Sequence, residues 1–251
     1  MRRGRLYNHL IAKQLQSSNI ETDKRKKTHS KGKKRPFQLQ ADSRIMTITR
    51  LPLDDNHMGR QFYLVLVSDG SCKLISSDYE TIHQCEVTKK NCPTKIILLD
   101  DNNVAIIDTG GYLNIFKFSL ESNMENKCSL ERIKSIRVET GGLNAILWSN
   151  GYFFVGGDSG IVHRVKWDGN HLTVMSGSPI STCGIVQILD GDKDCIFTLA
   201  IDQRILKISK DDLRYIGGRV THVADPSDFV LDENTKSFIV VGDGIERISE
   251  F

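Results

Sequence analysis

The sequence has no run approaching 18 consecutive apolar residues, so no segment is expected to span a membrane. It also lacks a secretory core, because "RLYNHLIAKQLQ" near the N-terminus is interrupted too often by polar residues. Its six cysteines (Cys72, Cys85, Cys92, Cys128, Cys183 and Cys195) include no Cys-x-x-Cys pair. Cys85 and Cys92, the nearest two, have no His or Cys partner at finger spacing, so they are not expected to bind zinc. Without a secretory signal the cysteines read as reduced thiols of a cytosolic or nuclear protein.

Catalytic signatures are equally scarce. "DTGGYLN" and "GGDSG" are turns between strands and open no helix, so neither cradles phosphate. Ser159 of "GGDSG" sits one residue too late for a nucleophile elbow. None of the seven histidines (His9, His29, His57, His83, His163, His171 and His222) has another at i+2 or i+4, so no compact metal site is visible. His163 alternates with Ile161 and Val165 and is expected to be a strand histidine hydrogen-bonded within or between sheets. Asp54 with Asp55, Asp100 with Asp101, Asp192 with Asp194, and Asp211 with Asp212 all fall in expected turns, where acids normally form the turn. A facing carboxylate pair would instead suit glycoside hydrolysis, which is the enzymatic alternative. No cofactor is expected.

What the sequence does have is charge segregation. Residues 1–40 hold 12 Lys/Arg against 2 Asp/Glu, while the remainder holds 22 Lys/Arg against 29 Asp/Glu. A basic arm therefore precedes an acidic body. The arm concentrates its charge in Lys24, Arg25, Lys26, Lys27, Lys31, Lys33, Lys34 and Arg35, among Ser, Thr, Gly and Pro. Residues 1–35 bury almost nothing and are expected to be largely disordered when free, with a short amphipathic helix through Leu6, Leu10, Ile11 and Leu15. The two basic clusters resemble a nuclear-import signal and equally suit RNA or DNA phosphate. The localisation expected is nuclear. A cytoplasmic location and, from the acid-free Arg-rich start, a mitochondrial one are the alternatives.

The body is built from a repeat. "FYLVLVSDGSCKLIS", "NVAIIDTGGYLNIFKF", "YFFVGGDSGIVHRVKW", "CIFTLAIDQRILKIS" and "SFIVVGDGIERIS" each read as an apolar strand, a tight turn and an alternating strand. The turn aspartates Asp69, Asp108, Asp158, Asp202 and Asp243 are spaced by 39, 50, 44 and 41 residues. A further strand precedes every hairpin ("IMTITRL", "TKIILLD", "LNAILWS", "GIVQILD", "PSDFVLD"). A fourth follows the first four ("TIHQCEV", "ERIKSIRV", "HLTVMSG", "DLRYIGGR"). A four-strand unit of this size cannot bury both faces alone and must stack on its neighbours, which gives a β-propeller. The fifth unit stops after its third strand. "PFQLQ" (Pro36–Gln40) or a partner's strand is expected to complete it.

Over residues 40–251 this pattern resembles the WD40-like β-propeller superfamily. The third unit ends in Lys166-Trp167-Asp168, as such repeats end in Trp-Asp, and the five turn aspartates match the family's turn Asp. The Gly-His pair that opens such repeats is absent, and Trp-Asp occurs in this unit alone. The fold expected is all-β: a propeller of about five four-stranded blades over residues 36–251, preceded by the basic arm. The function expected is a non-catalytic scaffold that binds other protein subunits in a nuclear multiprotein complex, in ribosome biogenesis, RNA processing or chromatin. RNA or DNA contact through the arm, as an accessory subunit, is a further alternative.

Overall fold

The computed structural model describes residues 43–51, 61–88, 90–100, 102–120 and 128–250. The basic residues Lys24–Arg35, the segment Pro36–Gln40 and Asp54 with Asp55 lie outside the described residues. Every regular element among the described residues is a strand.

The strands form five meandering sheets, each in simple chain order. The first contains β1 (Ile45–Arg50), β2 (Phe62–Val67), β3 (Ser71–Ser76) and β4 (Thr81–Glu86). The second contains β5 (Pro93–Leu98), β6 (Asn103–Asp108), β7 (Tyr112–Leu120) and β8 (Cys128–Arg137). The third contains β9 (Leu143–Ser149), β10 (Tyr152–Gly157), β11 (Ile161–Trp167) and β12 (Leu172–Pro179). The fourth contains β13 (Ile185–Asp190), β14 (Cys195–Ala200), β15 (Arg204–Ser209) and β16 (Tyr215–Val220). The fifth has three strands, β17 (Asp228–Asp232), β18 (Ser237–Val241) and β19 (Ile245–Ser249). Strand positions follow the sequence repeat closely, because hydrophobic period and turn residues coincide in each unit.

By contact the chain divides into two compact units, Met1–Ile106 with Ile115–Ile133, and Ile107–Asn114 with Lys134–Phe251. In the first, Leu64, Leu66 and Leu74 of the first sheet share a core with Ile96, Val104, Ile106, Phe116 and Phe118 of the second. The opposite face of the first sheet gathers Ile48, Tyr63, Val65, Val67 and Ile75. This two-faced burial explains the continuous apolar run of β2, all six of whose residues are buried.

The second unit repeats the scheme twice. Ala145, Phe154 and Val162 of the third sheet pack on Ile188, Ile196, Leu206 and Ile208 of the fourth. The other face of the fourth presents Phe197, Leu199 and Ile205 to Phe229, Phe238 and Val240 of the fifth. Polar links accompany the packing at the first strands. Ser149 Oγ donates to Asp190 Oδ2 at 3.3 Å, and Gln187 Nε2 donates to Asp228 Oδ1 at 2.8 Å.

Phe197 and Phe238 meet edge-on with ring centroids 4.8 Å apart, and Phe229 lies 5.7 Å from Phe238. All three rings are fully buried. Phe238→Ala should therefore destabilise the second unit by about 3–5 kcal/mol, the usual cost of deleting a core aromatic. Urea unfolding followed by fluorescence measures it. A loss under 1 kcal/mol would contradict the fourth-to-fifth-sheet packing.

Candidate functional site

The turn between the second and third strands of each sheet is the most regular polar feature of the molecule. Asp69 Oδ1 accepts from the Ser71 amide and hydroxyl at 2.9 and 2.6 Å. Asp108 Oδ1 accepts from the Gly110 and Tyr112 amides at 2.9 and 3.1 Å, and its Oδ2 accepts from Asn114 at 3.2 Å. Asp158 accepts instead from the Gly142 amide at 3.1 Å and from Asn144 at 2.7 Å. Asp202 holds Arg204 and accepts from Ser181 Oγ at 3.3 Å. Asp69, Asp108, Asp158 and Asp202 are thus turn organisers, held by nearby amides and side chains.

A second repeat lies beside the first. The carbonyl at the apex of each turn accepts amides from the end of the fourth strand. Gly70 O takes Val87 N at 2.9 Å, Gly111 O takes Val138 N at 2.8 Å, Gly160 O takes Ile180 N at 3.1 Å, and Gln203 O takes Thr221 N at 2.8 Å. Gly111 and Gly160 have positive φ, and a Cβ on either would lie 2.1–2.3 Å from a carbonyl oxygen, so these turns require glycine. The fifth turn has no such return among the described residues. Gly244 O accepts Gly242 N within the turn, and a Cβ at Gly244 would meet nothing.

From the fourth-strand ends, side chains reach the next sheet. Glu139 Oε2 accepts from Ser159 Oγ at 2.5 Å and faces His163 Nε2 at 3.3 Å. Ser181 Oγ meets Asp202 and Arg204. Glu246 Oε2 accepts from Thr221 Oγ1 at 2.6 Å and His222 N at 2.7 Å, and Oε1 faces His222 Nδ1 at 3.1 Å. His163 is therefore a strand histidine bonded between sheets. Glu139, Ser159 and His163 are a serine, a histidine and an acid, but in the wrong order for a nucleophile, because the serine proton goes to the carboxylate and bypasses the imidazole.

One member of each of three acid pairs is a turn former, while Asp101 lies outside the described residues. Asp100 accepts from the amides of Asn102 and Asn103, Asp192 from those of Asp194 and Cys195, and Asp212 from that of Arg214. Hydrogen bonds from neighbouring groups hold the Asp192 and Asp212 carboxyls below the ordinary range. Asp168 of the Trp-Asp pair is another turn former, accepting from Asn170 N at 2.9 Å and His171 N at 2.7 Å. Burial pushes the Cys85 thiol up to about 11. Among the described residues no three His, Cys, Asp or Glu side chains are grouped to hold a metal, and no helix is long and apolar enough to cross a membrane.

The outer surface of the second unit is unusual in a different way. On β16, Tyr215, Ile216 and Val220 are 56%, 50% and 61% exposed. On β12, Val174 and Met175 are also exposed. In the first unit, Ile82 and Cys85 of β4 and Leu130 of β8 pack against the shared core, while Ile133 of β8 is exposed. The repeat marked these segments as strands, but a period-two pattern does not reveal which face lacks a neighbour.

The antiparallel meanders and their turn aspartates have the fold of a β-propeller. No family profile matches the chain, and neither does any curated protein. Among solved structures it is similar to Sqt1 of Saccharomyces cerevisiae, with a TM-score of 0.63 at 12% identity over 83% of this chain. The likeness covers 59% of the Sqt1 chain, so this chain spans well under two thirds of that protein.

Thr221 and His222 hold the Glu246 carboxyl down to about 2. A carboxyl depressed in the fold contributes stability that is complete above its unfolded value, about 4.3, and is lost as pH falls through the folded value. The melting temperature of the protein should therefore decline between pH 4.3 and 2, and Glu246→Gln should flatten part of that decline. An identical pH profile in the variant would show that this contact contributes nothing.

Proposed function

We propose that this chain is a non-catalytic scaffold that binds other proteins within a nuclear multiprotein complex. The observation that carries the reading is the apolar outer strand β16, whose Tyr215, Ile216 and Val220 stand half or more exposed on a rigid sheet. Exposed aromatic and aliphatic side chains of this kind serve as anchors for a partner surface. The hydrogen-bonding of the turn carboxylates supports the non-catalytic side, since acids committed to backbone amides are poor candidates for proton transfer. Ribosome biogenesis, RNA processing and chromatin assembly are the settings such a scaffold suits.

The basic residues Lys24, Arg25, Lys26, Lys27, Lys31, Lys33, Lys34 and Arg35 serve nuclear import or nucleic-acid contact in this proposal. Their density and sign support it, because an importer's acidic groove and a phosphate backbone both select that charge.

Two measurements test the halves separately. Replacing Tyr215, Ile216 and Val220 with serine should leave the melting temperature nearly unchanged yet remove companion proteins from an affinity purification. Retention of every companion would refute β16 as the binding strand. Deleting residues 24–35 from a fluorescent fusion should shift it from nucleus to cytoplasm. Continued nuclear accumulation would end the import role, and salt-insensitive RNA binding would end the nucleic-acid role.

A further inference from the structure

The outer strand of the fourth sheet, β16, carries different chemistry on its two faces. Residues directly opposite one another in an antiparallel pair point to the same side. Tyr215, Gly218 and Val220 lie opposite Ile208, Leu206 and Arg204, so they share the side that packs on the third sheet. Gly217 and Arg219 lie opposite Lys207 and Ile205, so they share the side that packs on the fifth. The first face is apolar, with Tyr215 and Val220 each more than half exposed. Gly218 gives the Tyr215 ring its seat, since a Cβ there would lie 2.9 Å from the Tyr215 hydroxyl. The second face is basic. Arg219 is exposed, and Gly217 sets no side chain across from Lys207, whose ammonium stands 4.0 Å from Asp192.

The backbone of β16 is poised as well. Thr221 N donates to Gln203 O at 2.8 Å, so by two-residue alternation Arg219 and Gly217 turn their backbone groups inward to β15. Gly218 and Val220 then turn theirs outward, and among the described residues no strand lies beyond β16 in this sheet. The exposed stretch has defined ends. The register slips at Ile216, and His222 N is taken by Glu246. The outer strand of the third sheet is blunted where β16 is not. Ile180 N donates to Gly160 O, which puts Pro179 of β12 at an outward position with no N–H to offer.

The occupant follows from the two faces. A strand added beside β16 continues both, so it is selected for apolar residues next to Tyr215 and Val220 and for carboxylates, at alternate positions, next to Arg219 and Lys207. Residues 1–40 of this chain, with 12 Lys/Arg against 2 Asp/Glu, have the wrong sign. A second copy of β16 brings a further Arg219 and no carboxylate.

We propose that β16 is a strand-addition site: an extended segment of another protein, alternating acidic and apolar residues, pairs with Gly218 and Val220 as a fifth strand of the fourth sheet. This rests on the reading of β16 as the binding strand and names the partner's chemistry and its mode of contact.

The test uses the full-length protein and an eight-residue peptide of alternating glutamate and valine, with a lysine-valine peptide as control. Amide exchange is followed at Gly218 and Val220. Both should exchange rapidly in the free protein and slow by at least about tenfold with the glutamate peptide, not with the lysine peptide. Val220→Pro should abolish the effect. Its amide does not serve the β15–β16 ladder, so the melting temperature should stay within about 3 °C. Arg219→Glu leaves the edge intact and should remove the preference for the glutamate peptide. The proposal is overturned if neither peptide slows exchange or both do so equally. It is overturned too if both amides are slow in the free protein at every dilution, which would place a segment of the same chain on the edge. Slowing that grows with protein concentration alongside a doubled mass would place a second copy there and overturn it likewise. If Val220→Pro keeps the companion proteins that the β16 serine variant loses, strand addition fails and the scaffold reading stands.

Discussion

Sheets that are apolar on both faces must be covered on both faces, and that requirement organises each unit of this protein. Val65 and Leu66 are adjacent in β2, point to opposite sides, and are both fully buried. The same holds in the fourth sheet, where Ile205 faces the fifth sheet and Leu206 the third. A strand of this kind gains nothing from water on either side, so its sheet is stable only as a layer between layers. Stability in the second unit is accordingly a nearest-neighbour property, carried from the third sheet to the fourth and from the fourth to the fifth.

Polar contacts set the spacing and order of the layers. A turn carbonyl that captures the end of the fourth strand places the following residue against the next sheet, where Glu139, Ser181 and His222 each find a partner. The contact at Glu139 and the contact at Glu246 are mirror arrangements. In one the acid ends the fourth strand and the histidine lies on the third strand of the next sheet. In the other the histidine ends the strand and the acid lies on the next sheet. His163 and Glu246 occupy matching register positions, opposite Val155 and Val240, each three residues before its turn aspartate.

That exchange explains how much of the molecule was legible in its sequence. Strand positions were, because burial on two faces writes apolar runs and tight turns write Asp and Gly. The turn aspartates were, because one residue type does the same work in several units. The inter-sheet contacts were not, since Glu139 with His163 and His222 with Glu246 share geometry but no common residue order. Gln203 shows the same limit in a turn, adopting a positive φ of 65° where the other units use glycine. The exposed strand β16 was read as a strand correctly, but a period-two pattern does not say which of its faces is left exposed.

The same logic accounts for a shared fold at 12% identity. Apolar layers tolerate exchange among Leu, Ile, Val and Phe when volume is kept. Latches tolerate exchange of acid and base when both ends change together.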